Sequence, residues 1–177
     1  MTTIDAGTLA GIISSVFKAH HAYAKRGSKR FRKWDGKTPY GIHPTWSALT
    51  LLTETTLDEW IRTVGVWTLL NYDLLEDTSA SLILPKDERL MNRIIANIND
   101  MSKKTGESKD EEFWRLINSY NEIRLFTLYD RVSNLLDGVW MDDATKTMYT
   151  SYVRALADNV FKIYGNLNIV KIARSII

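Results

Sequence analysis

Cysteine is absent from the 177 residues, and there are only three prolines and nine glycines. Without cysteine there is no disulfide framework and no thiolate metal site. With so few breakers and few alternating β-branched runs, the chain reads as all-α. No apolar run approaches the length that spans a bilayer, and the N-terminus carries no basic region followed by an apolar stretch. A membrane is therefore not an expected partner, and a reducing cytoplasm is the expected compartment.

What is present is ordinary in bulk and uneven in detail. Hydrophobic residues make up 45% and charged residues 25%, a balance suited to one globular domain over residues 1–177 with a substantial core. The net charge of +2 hides a cluster: Lys25, Arg26, Lys29, Arg30, Arg32, Lys33 and Lys37 face the single acid Asp35. Such a cluster suits a phosphate-bearing ligand, nucleic acid or an anionic surface, and it is also a common solvated loop. The remainder must be slightly acidic, which argues against a protein coated in nucleic acid.

Periodicity places a first helix on Leu9, Ile12, Ile13, Val16 and Phe17, fading near Gly27. Gly36, Pro39 and Gly41 mark residues 28–43 as a loop. Pro44 suits the first turn of a second helix carrying Trp46, Leu49 and Leu52. Thr56 and Glu59 have capping-box spacing and open a third helix through Trp60, Ile61, Val64, Trp67 and Leu70. A fourth begins near Pro85 and uses Leu90, Met91, Ile94, Ile95 and Ile98. Ser108 and Glu111 form a second capping box. The helix beyond it carries Phe113, Trp114, Leu116 and Ile117 and continues, kinked, through Leu125, Leu128 and Val132 to Gly138. A long helix from Asp142 to Tyr164 and a short amphipathic tail complete the chain. Tryptophans and other aromatics fall mostly on apolar stripes and read as core.

Chemistry concentrates in Leu69-Leu70-Asn71-Tyr72-Asp73-Leu74-Leu75-Glu76-Asp77-Thr78. On a helix Asp73, Glu76 and Asp77 share one face. Carboxylates among leucines are costly unless a cation compensates, so a metal ion or a cation-bound phosphate is the first thing to seek. The bland alternative is a solvated acidic helix end. A second acid, Asp130, lies in an apolar stretch with Asn134 four residues on, and an Asp130–Arg131 surface pair is its plain reading. Histidines number three. His20 and His21 are adjacent on a helix and point to different faces, whereas His43 ends the basic loop.

These residues together carry a resemblance. Arg32-Lys33, Gly36 and Thr38-Pro39-Tyr40-Gly41-Ile42-His43-Pro44 look like the RK…G-x-PY-x-x-HP signature of the HD-domain hydrolases of the RelA/SpoT type, small stand-alone alarmone hydrolases included. The acidic segment resembles that family's LLHD-x-x-EDT motif, and Asp130-Arg131 with Asn134 resembles its L-A-D-R-L-x-N motif. The three motifs occur in order between about Phe17 and Asn134.

The resemblance implies an all-α, single HD-domain helical bundle holding one divalent cation, manganese first and iron second. It implies His43, Asp73 and Asp130 as ligands and Glu76 with Asp77 as the pair that positions and activates water. Arg32 and Lys33 match residues that hold the base and phosphates of a guanine nucleotide, and Asn134 matches a nucleotide contact. The departure is Tyr72, which stands where the family has the histidine of its HD pair. As phenolate it would be a hard oxygen donor; as a packed phenol it leaves three protein ligands, or a degenerate site with no metal.

Two readings follow: a metal-dependent nucleotide phosphohydrolase with a guanosine alarmone as the implied substrate, and a degenerate HD domain that binds a nucleotide or phosphate without turnover. A nucleic-acid or protein interaction module built on residues 25–37 ranks third. A homo-oligomer is left open.

Overall fold

The computed structural model describes residues 4–26 and 30–177. Gly27, where periodicity has the first helix fade, and Lys29 of the basic cluster lie outside the described residues, as does Ser28. Eight α-helices make up the described architecture: α1 Ala6–Ala22, α2 Ile42–Leu52, α3 Glu59–Asp77, α4 Glu88–Met101, α5 Lys109–Ile117, α6 Asn121–Leu136, α7 Asp143–Tyr164 and α8 Asn168–Ile176, with a 3₁₀ turn at Gly138–Trp140. Extended pairing among the described residues is limited to two isolated bridges, Ala24 with Thr78 and Phe31 with Pro39. No helix among them is long and apolar enough to cross a membrane.

α3 is the central element. Every residue from Thr63 to Leu74 is buried, a helix apolar or enclosed all round as a core helix must be. It packs on α2, α4, α1 and α6, while α6 packs in turn on α7, α2 and α8. Gly65 permits the closest of these approaches. A Cβ there would strike Leu51 Cδ2 of α2 and come within 2.5 Å of the Phe126 ring of α6. α2 and α6, which carry the functional side chains below, thus meet α3 at one point.

Several boundaries differ from the pattern in the sequence, each for a local reason. α3 is capped by Asp58, whose carboxylate accepts from the Trp60 N–H at 2.8 Å and the Ile61 N–H at 3.4 Å, and not by Thr56. α4 starts at Glu88 on an Asp87 cap. α1 ends at Ala22, where the chain turns into the bridge with Thr78. α5 and α6 are separate helices, not one kinked helix, divided at 118–120. The Ser108–Glu111 capping box is present.

On α2 the buried residues are His43, Pro44, Thr45, Ser47, Ala48 and Leu51, while Leu49 is exposed and Trp46 and Leu52 are half-buried. Small side chains take much of that face, while Leu51 meets Gly65 of α3 and Trp46 and Leu52 pack against the core from its margin. The aromatic expectation also needs correction: Trp67 is buried, but Trp34, Trp114, Tyr120 and Trp140 are exposed.

Two side chains tie remote segments to this frame. The buried Glu54 carboxylate accepts from the Tyr129 hydroxyl at 2.8 Å and from the N–H groups of Asn168 and Ile169 at 2.9 Å each, capping α8 from a distance. Arg115 holds Glu107 in the 102–108 loop at 2.7 Å and keeps that carboxyl down to about 2 against an ordinary 4.5.

Gly65→Ala is expected to destabilise the fold by about 1–3 kcal/mol through overpacking, read by urea denaturation. A lowered pKa in the folded state means that the stability from Glu107 is complete above pH 4.5 and drains away as the pH falls toward 2. Carboxyl-carbon NMR titration should place the Glu107 midpoint near 2 in the native chain and return it to the ordinary range in Arg115→Met.

Candidate metal centre

Three helices supply the site because their packing aims three side chains at one point. His43 comes from the first turn of α2, Asp73 from the buried part of α3 and Asp130 from the middle of α6. One donor atom from each lies within 4.8 Å of the others. His43 Nε2 is 3.0 Å from Asp130 Oδ1 and 3.4 Å from Asp73 Oδ2. The other ring nitrogen, Nδ1, is 2.7 Å from Ser133 Oγ, one turn along α6. That bond fixes the imidazole plane and points Nε2 at the carboxylates, the orienting role seen around ligating histidines. His43, Asp73 and Asp130 are all buried.

Two buried carboxylates around one imidazole are a costly arrangement without further positive charge. One nitrogen and two carboxylate oxygens fit a hard divalent cation of the manganese or magnesium kind, and three protein donors leave positions open for water or ligand. The residues present therefore fit the implied metal.

Tyr72 lies beside this set, buried, with its hydroxyl donating to Glu76 Oε1 at 3.2 Å. Burial pushes the phenol well above its ordinary value, and the nearby acids Asp130, Glu76 and Asp73 push the same way. The side chain is thus a neutral hydrogen-bond donor committed to Glu76. Glu76 is half-buried and also accepts the Lys103 N–H at 3.2 Å. Its carboxyl is raised, by burial first and by the charges of Asp73 and Asp130 as well, against the lowering pull of the Lys103 bond.

Asp73 and Glu76 line a cavity of about 270 Å³, and Asp77, also buried, is not among its lining residues. Asp77 lies on the side of Tyr40, whose phenol it helps to raise after burial and Asp73. Behind Tyr40 sits the buried His20, its ring 4.8 Å from the tyrosine ring.

The basic loop reaches the cavity through a tight hairpin. Gly36 takes a φ of 66°, a conformation that favours glycine, and Asp35 accepts from the Lys37 and Thr38 N–H groups at 2.8 and 2.9 Å. Arg32 is thereby buried; it pairs with Asp137, donates to Asn134 Oδ1 at 3.3 Å and lies over the Tyr40 ring. Lys33 Nζ is 4.2 Å from the centre of the Trp140 ring. Asn134 also donates to Asp130 Oδ1 at 3.2 Å. Arg131 keeps the pairing with Asp130 read from sequence, Nε to Oδ2 at 3.6 Å, but away from the surface: it lines the cavity and also donates to Glu112 Oε1 at 2.6 Å.

Sequence reasoning missed Asp137, Trp140, Lys103, Lys109, Glu112 and Tyr149, all of which line the same cavity. Asp137 was within reach of the pattern, since it follows Asn134 by three and Asp130 by seven on one helix face. The others come from α5, α7 and two connections, and nothing local marks them.

No family model matches the chain, and no curated protein matches it. A solved structure does: a metazoan ortholog of SpoT that hydrolyzes ppGpp and plays a role in starvation responses. It is 17% identical over 99% of this chain and 96% of that one, with a TM-score of 0.68. The shared feature is the fold, which in this chain is all-helical among the described residues.

Manganese at about 100 times its Kd is expected to stabilise the metal-free protein by about 2.7 kcal/mol. Asp73→Asn or Asp130→Asn should abolish the effect, which thermal melts with and without chelator will read.

Proposed function

We propose that this chain is a metal-dependent phosphohydrolase acting on a nucleotide, with a guanosine alarmone of the ppGpp type as first substrate. The observation that carries the reading is the buried convergence of His43, Asp73 and Asp130, the two acids also lining a cavity shared with Lys33, Lys103, Lys109 and Arg131. The fold shared with a protein that hydrolyzes ppGpp supports it.

His43, Asp73 and Asp130 would hold the cation, which when bound polarises a phosphoryl oxygen and acidifies water. The rest is work for this chain's own side chains. Glu76, its carboxyl raised by burial and by the charges of Asp73 and Asp130, is suited to orienting water and accepting its proton. Asp77, buried and next to it in sequence, would share with Glu76 the positioning of that water. Lys33, with Arg32 and Asn134 beside it, takes the nucleoside end, and the cations of the opposite wall neutralise phosphate charge.

One observation favours a second reading, ligand binding without turnover: the Tyr72 hydroxyl occupies Glu76 Oε1. Tyr72→His separates the two.

Manganese-loaded protein is expected to release pyrophosphate or phosphate from ppGpp in a nucleotide panel, with chelation abolishing release. Glu76→Gln should lower kcat by roughly 10²–10⁴-fold and leave manganese affinity intact. Binding of ppGpp with no product from the native chain, but turnover from Tyr72→His, would establish the second reading. Neither binding nor turnover would sink both.

A further inference from the structure

The cavity wall opposite Arg32 is built on an unusual support. Residues 102–108 join α4 to α5, turning at Gly106 with a φ of 79°. The Arg115 side chain, from α5, lies across this loop. Nε donates to Glu107 Oε1 at 2.7 Å, Nη2 to Glu107 Oε2 and to the Ser102 carbonyl at 3.1 Å each, and Nη1 to the Asp100 carbonyl. Glu107 Oε2 also accepts the Lys104 N–H at 3.0 Å. A forked guanidinium thus ties together the end of α4, the loop and α5, with a geometry that lysine cannot reproduce.

Arg115 does not itself line the cavity. What the clamp fixes does. Lys103 and Lys109 line the cavity, and the Lys103 N–H donates to Glu76 Oε1 at 3.2 Å. The Tyr72 hydroxyl donates to the same oxygen, also at 3.2 Å. Glu76 is therefore held by one donor from its own helix and one from a loop that has no regular structure of its own.

We propose that Arg115, through its clamp on Glu107 and the 102–108 loop, is a positioning residue for Glu76. It holds the Lys103 N–H in place, and that bond with Tyr72 sets the direction of the Glu76 carboxyl. The inference rests on the hydrolase reading above. A loop released from α5 lets the Lys103 donor move away, and a displacement of about 1 Å in a reacting group is enough for a loss near 10²-fold.

The test measures kcat and KM for ppGpp, manganese affinity by calorimetry and exchange of the Lys103 amide proton. The full chain is used as wild type, Arg115→Met, Arg115→Lys and Glu107→Gln. Arg93→Met serves as control, because it removes another Arg–Glu pair, Arg93 with Glu122 at 2.8 Å, outside the cavity. Arg115→Met is expected to lose roughly 10- to 100-fold in kcat with KM changed less than about threefold. Its manganese affinity should hold and its Lys103 exchange accelerate, with partial recovery in Arg115→Lys and no kcat change in Arg93→Met. Should Arg115→Met fail to fold, Glu107→Gln decides by the same criteria.

Faster exchange with unchanged kcat overturns the proposal, as does a parallel loss of manganese affinity or an equal kcat loss in Arg93→Met. A wild-type chain that turns over nothing overturns the hydrolase reading itself and takes this inference with it. That result is distinct from an active wild type indifferent to Arg115.

Discussion

Two carboxylates, Asp73 and Asp130, share one imidazole in the interior, and the packing of α2, α3 and α6 is arranged around that meeting. Each acid sits on a different helix, so neither charge can be placed without fixing an interhelical distance. The His43 ring stands between them, its far nitrogen held by Ser133 at 2.7 Å. Gly65 supplies the space that lets α3 approach both partners, and Glu54 anchors α8 to Tyr129, next in sequence to Asp130. Buried like charges of this kind lower stability unless a cation joins them, the usual exchange of stability for function at a working site.

Around that centre, positive charge is held in different ways at the two ends of the cavity. Arg32 is buried and already satisfied by Asp137 and Asn134, so it shapes the wall as much as it offers charge. Lys33 lies on the Trp140 ring, which leaves an ammonium and an aromatic face side by side. Lys103 rides on a loop stapled by Arg115, and Lys109 opens α5 just beyond it. A cavity lined by both cations and acids suits a ligand that carries charge.

Tyr72 turns out to be less a failed ligand than a partner of Glu76. A buried phenol surrounded by carboxylates keeps its proton, and a hydroxyl that keeps its proton must donate it to something. Glu76, four residues on, is the acceptor within reach of one helical turn. The Tyr72 hydroxyl therefore takes part in setting the hydrogen bonding of the acid beside the His43, Asp73 and Asp130 cluster.

The all-α class, most of the helices and the residues of the His43, Asp73 and Asp130 cluster were legible in the sequence, since each rests on periodicity or on a short motif with its residues close together. His43, Asp73 and Asp130 could be named before their geometry was known because they sit in three recognisable segments. The α2 face was misread because side-chain size suggests burial, while the close approach of α3 demanded small residues there instead. Trp114 and Trp140 were misread for the reverse reason, as large apolar side chains that the fold leaves at its surface. Local chemistry along the chain determined the helices and the reacting groups. The cavity wall, the Arg115 clamp and the commitment of Tyr72 were decided by tertiary structure, because they depend on contacts between residues that have no spacing in common.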